Sequence, residues 1–108
     1  VSVARKNVEG RLLELVLAWK KETHFLSSST AIVANPKYQE IIGLGDRAIP
    51  FLLEMLRDNE EPEFLFHALL SITEVNPVPA EHRGDWSAIA KDWVNWGIEE
   101  GYLESNAA

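Results

Sequence analysis

Apolar residues recur along this chain at helical spacing, most clearly over residues 43–58, GLGDRAIPFLLEMLRD. Ile49, Leu52, Leu53 and Leu56 fall at i, i+3, i+4 and i+7, which draws one stripe along a helix. Phe51 and Met55 form a second stripe beside it, so this element has apolar contacts on two sides and belongs in the middle of a helical bundle. Upstream, Val8, Leu12, Leu15, Val16 and Trp19 trace another stripe, widened by Leu13 and Leu17. They predict a helix over residues 8–24 after a frayed lead-in over 1–7. Lys20, Lys21 and His24 fall in its last turn, where cations complement the helix dipole. The serine-rich run 27–30 reads as a loop, with at most one further turn over 30–33.

Start and stop signals place the other elements. Asn35-Pro36 pairs a cap with a proline at the first helical position, where a missing N–H costs nothing. Tyr38, Ile41, Ile42 and Leu44 then give a short helix over 36–43, ended by Gly43 or Gly45. Asp46 is expected to cap the helix over 47–57, with Pro50 tolerated near its first turn. After the polar link at Asp58, Asn59, Glu60 and Glu61, Pro62 starts a helix over 62–74. Its stripe is Leu65, Ala68, Leu69 and Ile72, with Phe64, Phe66 and Leu70 alongside. Residues 76–84, with Pro77 and Pro79, cannot be helical throughout. Asp85 caps a final helix over 86–100 whose apolar face is Trp86, Ile89, Ala90, Trp93 and Gly97, flanked by Val94 and Trp96. Gly101 closes it and Tyr102 folds back on its last turn. No stretch alternates with period two, so the expected fold is all-α, a compact five-helix bundle of antiparallel hairpins with Leu52, Leu53, Leu56, Leu69 and Ile72 in the core.

Residues 45–56, GDRAIPFLLEML, resemble the second helix of a HEAT-type (armadillo-like) repeat, in which G-x-x-A-I-P-x-L-L-x-x-L is a common form. Residues 38–43 would be its first helix. Ala68-Leu69-Leu70-Ser71-Ile72-Thr73, Asn76-Pro77-Val78, Gly84, Trp93-Val94-Asn95-Trp96-Gly97 and Gly101-Tyr102 are similar to a group of small uncharacterised bacterial proteins. The resemblance covers about residues 35–102 and leaves an N-terminal helix and loop over 1–34 outside it. HEAT-type domains generally serve as interaction scaffolds, so the resemblance implies protein binding.

Charge sharpens this expectation. The 108 residues suit one domain and carry a net charge of −7. Residues 1–57 hold eight Lys/Arg against six Asp/Glu, whereas residues 58–108 hold two against eleven, a local charge of −9. A nucleic-acid binder needs clustered cations, so no nucleic-acid partner is expected, and an electrostatically steered partner should be basic. There is no cysteine, which removes disulfides, thiolate metal sites and cysteine nucleophiles. No segment approaches the roughly 18 apolar residues of a membrane span, and no signal peptide is visible. A cytoplasmic protein with no membrane partner is expected. A chain that opens on Val1 also fits a trimmed protein or a piece of a longer helical array.

The chemistry-bearing residues form no catalytic constellation. Among the three histidines, His67 reads as a packed structural residue. Glu63 and His67 stand at helical metal-ligand spacing but lack a third ligand, and His82 with Glu81 and Asp85 is a similarly thin cluster. No metal and no cofactor are expected. Arg83-Gly84-Asp85 spells the tripeptide that integrins recognise, yet a turn followed by a helix cap explains it. The hydroxyls at 27–30 have no partnered base, and no glycine-rich phosphate loop is present. Tryptophan is more informative. Trp86 and Trp93 share a face, and Trp96 follows three residues later at the core edge. Some HEAT-like DNA glycosylases set tryptophans against a base, but they need a basic groove, and this helix carries Asp85, Asp92, Glu99 and Glu100 against Lys91 alone.

The expected function is therefore non-enzymatic: an adaptor, or an inhibitor- or antitoxin-like module, covering a basic protein surface. Its contact would be Trp96, Tyr102, Asp92, Glu99 and Glu100, with oligomeric state left open. The rival expectation is an enzyme or small-ligand binder with an inter-helix pocket lined by His67 and the tryptophans.

Overall fold

The computed structural model describes residues 2–58 and 62–104, with side chains from residue 7 in the first helix and from residue 64 in the fifth. The described residues are helical or irregular, with no strand among them, and the protein is all-α. Five long helices match the five expected from periodicity: α1 (Ser2–Thr23), α3 (Pro36–Gly43), α4 (Ile49–Arg57), α5 (Pro62–Thr73) and α6 (Trp86–Glu99). A short α2 (Ser29–Val33) and two 3₁₀ turns, Gly45–Ala48 and Ala80–His82, complete the described elements. The chain forms two compact units, Val1–Ala48 and Ile49–Ala108. The polar link at Asn59, Glu60 and Glu61, and the Glu63 side chain, lie outside the described residues.

In the first unit α1 packs on α3 and on the 3₁₀ turn. Leu12, Leu15, Val16 and Trp19 are buried, as their spacing requires. Leu13 and Leu17 do not widen that face, being 51% and 67% exposed. At 100° per residue they sit about 100–140° round the helix from Leu12, beyond the reach of the buried stripe. The backbone over 2–7, expected to fray, is helical. Trp19 donates from Nε1 to the Ile32 carbonyl at 3.0 Å and packs at 5.2 Å on the Tyr38 ring. The serine run is partly a helix start: Ser28 Oγ accepts from Ala31 N at 3.3 Å and caps α2. Asn35 caps α3 as expected, its Oδ1 accepting from Lys37 N at 2.8 Å. Its Nδ2 donates to Glu22 Oε1 at 3.0 Å, while Arg11 pairs with Glu40 at 2.7 Å across α1 and α3.

In the second unit α4 packs on both α5 and α6, the central position its double stripe implies. Ile49, Phe51, Leu52, Leu53 and Leu56 are buried, and so are Leu65, Phe66, Ala68 and Leu69 of α5 and Ile89, Ala90 and Trp93 of α6. Two details differ from expectation. Ile72, assigned to the core, is only half-buried, since it lies in the last turn of α5. Asp46 does not cap α4, because residues 45–48 wind as a 3₁₀ turn and α4 begins at Ile49.

Candidate functional site

The end of α6 is built by local signals. Gly101 has φ +85°, a left-handed value natural to glycine, and it lets the chain reverse. Tyr102 N then donates to Gly97 O at 2.8 Å and Gly101 N to Ile98 O at 3.2 Å, the paired bonds of a Schellman turn. The reversal lays Tyr102 on Trp96, with centroids 5.5 Å apart and planes at 25°. Trp96 also meets the buried Trp93 edge-on at 5.4 Å and 79°. Three rings thus run from core to surface, the outer two half-buried. Glu99 and Glu100 are exposed beside them, at a helix end where the dipole disfavours anions.

Four of the five expected contact residues, Trp96, Tyr102, Glu99 and Glu100, come together here. Asp92 does not. Expected in the partner contact, its side chain is only 17% exposed and its Oδ2 lies 2.6 Å from His82 Nδ1. The loop between α5 and α6 folds back on α6 and carries His82 to it. The hydrogen bond to Asp92 raises the His82 pKa, partly opposed by desolvation, with further anionic support from Asp92, Glu81 and Asp85. Expected as part of a weak cluster with Glu81 and Asp85, His82 is instead a clasp between loop and helix. Nothing in the spacing of residues 82 and 92 signals this pair, because the path of the loop decides it.

The same loop walls an open cleft of about 410 Å³ against α5 and α6. Phe66 and Leu70 of α5, Val78 and Pro79 of the loop, and Ile89 and Trp93 of α6 line it, with Asn76 and Arg83 as polar walls. This cleft is not the expected pocket of His67 and the tryptophans. His67 is exposed and absent from the lining, and of the tryptophans only Trp93 lines it. Trp86 shares a helix face with Trp93 but is 49% exposed, stacked on Phe66 at 5.5 Å in the first turn of α6. In the tripeptide at 83–85, Gly84 turns the chain at φ +87° and Asp85 caps α6 through Ala88 N at 3.1 Å.

Among the described residues no group of three or more His, Cys, Asp or Glu could hold a metal ion, and no helix is long and apolar enough to cross a membrane. Compared with protein-family models, curated proteins and solved structures, the chain shows no match to any of the three.

Proposed function

We propose that this chain acts by binding another protein, without chemistry of its own, through the rim where α6 ends. The observation that carries the reading is the stacked pair of Trp96 and Tyr102 at 5.5 Å, held half-exposed by the Schellman turn with Glu99 and Glu100 alongside. Aromatic anchors already held in place lose little freedom on association, and Trp and Tyr are enriched among residues that dominate binding energy. Two amphipathic rings set among carboxylates suit an arginine-bearing surface, which would meet both ion pairing and ring faces. The charge of −9 over residues 58–108 steers a basic partner to this unit. The HEAT-like pattern over 45–56 supports a scaffold role. Asp92 drops out of the contact set, since its carboxylate is engaged by His82.

The test begins with affinity capture from the native host and identification of the retained protein. Trp96→Ala is then expected to weaken that complex at least about tenfold, the behaviour of a binding hot spot. The double reversal E99K/E100K separates binding from folding. It places cations at a helix C-terminus, so it should leave stability unchanged or raise it by some tenths of a kcal/mol while affinity falls. Intact affinity in both variants would refute the rim as the contact.

A further inference from the structure

The cleft between α5, α6 and their connecting loop joins apolar walls to two polar groups that the protein does not use against each other. Asn76 Oδ1 accepts from Val78 N at 3.0 Å, which orients the side-chain amide and leaves Nδ2 as a donor. Among the described residues neither Nδ2 of Asn76 nor the Arg83 guanidinium has a protein acceptor, and both exposed residues are part of the cleft lining. Phe66, Leu70, Val78, Ile89 and Trp93 supply the apolar remainder, and about 410 Å³ lies within the size range of small-molecule pockets. Apolar walls with a few convergent polar groups are the usual composition of a ligand site, the walls giving affinity and the polar groups orientation. A guanidinium and an amide N–H₂ are both donors, so the matching ligand group is an acceptor, and the guanidinium favours an anion.

We infer that this cleft binds a small apolar carboxylate, with its hydrocarbon part over Leu70 and Val78 at the mouth of the cleft and its carboxylate at Arg83 and Asn76. The site is separate from the rim at Trp96 and Tyr102 and takes a different class of ligand. The His82–Asp92 contact at 2.6 Å holds the loop wall against α6, so it positions the cleft without touching the ligand.

The experiment is a heteronuclear NMR titration of the full chain with octanoate, followed at the four tryptophan indole N–H signals and the loop amides. The Trp93 indole and the Val78 and Arg83 amides should shift saturably, with submillimolar affinity, while the Trp19 indole, bonded to Ile32 in the first unit, stays in place. The neutral isostere octanamide should bind about two- to five-fold more weakly, and Arg83→Gln should weaken octanoate to the same extent, the worth of a solvent-exposed ion pair. Leu70→Trp, at a partly exposed lining position, should block binding without unfolding the chain. Absence of a saturable shift up to several millimolar octanoate overturns the inference. So does equal affinity for octanamide, a result read on the unaltered chain and independent of any variant's folding.

Discussion

Gly97 of α6 packs against the Leu53 side chain of α4, and a single added methyl tests that packing. A Cβ built at Gly97 would stand 2.5 Å from Leu53 Cδ1 and 3.4 Å from Leu103 Cδ1. A carbon pair at 2.5 Å is far inside contact distance, so Gly97→Ala requires Leu53 to move. Leu53 is fully buried at 0% exposure and has no solvent to turn into. Overpacking of this kind costs about 1–3 kcal/mol, while Ala in place of Gly inside a helix returns about 1 kcal/mol. The net expectation for Gly97→Ala is a loss of about 1 kcal/mol. Leu53→Ala alone removes three buried carbons and should cost about 2–5 kcal/mol. In the double variant the methyl added at position 97 enters the space that Leu53 vacates, so the clash disappears and the helix gain is realised. L53A/G97A should then be more stable than L53A by about 1 kcal/mol, a coupling of about 2 kcal/mol between the two positions. Urea denaturation of all four proteins of the cycle, followed by tryptophan fluorescence, measures it. Additivity within about 0.5 kcal/mol would refute the close packing of Leu53 on Gly97.

Two other predictions concern the loop before α6. His82 has a raised pKa, so its contact with Asp92 contributes stability that is fully present below about pH 6.5, the value of a free histidine, and is lost as pH rises through the folded-state value. The denaturation midpoint should therefore fall across that interval more than it does in Asp92→Asn, and an identical pH dependence in the two proteins would count against the clasp. Glu74, just past α5, is the one non-glycine with positive φ among the described residues, at 58°. Left-handed backbone costs an L-residue roughly 1–2 kcal/mol against roughly 0.5–1 kcal/mol of glycine entropy, so Glu74→Gly should stabilise the chain by up to about 1 kcal/mol in the same assay. A lower midpoint would show that the Glu74 side chain matters more than its backbone.

Much of this protein was settled within short windows of sequence. The stripe Ile49, Leu52, Leu53, Leu56 marks α4 as a central helix, and Asn35-Pro36, Asp85 and Gly101 mark boundaries because caps and left-handed turns depend on a few adjacent residues. Gly101 and Trp96 together also foretell that Tyr102 returns to the end of α6, since a Schellman turn brings residues six apart together by local geometry alone. Tertiary structure decided what periodicity cannot express. Leu13 and Leu17 are as apolar as Leu12 and Leu15, yet only position around the helix relative to a neighbour separates exposed from buried. The prolines of residues 76–84 show that the stretch cannot be helical throughout, but the route that sets His82 on Asp92 and opens the cleft beside Trp93 follows from where α5 and α6 stand in space. Such contacts join side chains on separate elements, and no pattern within either element encodes the distance between them.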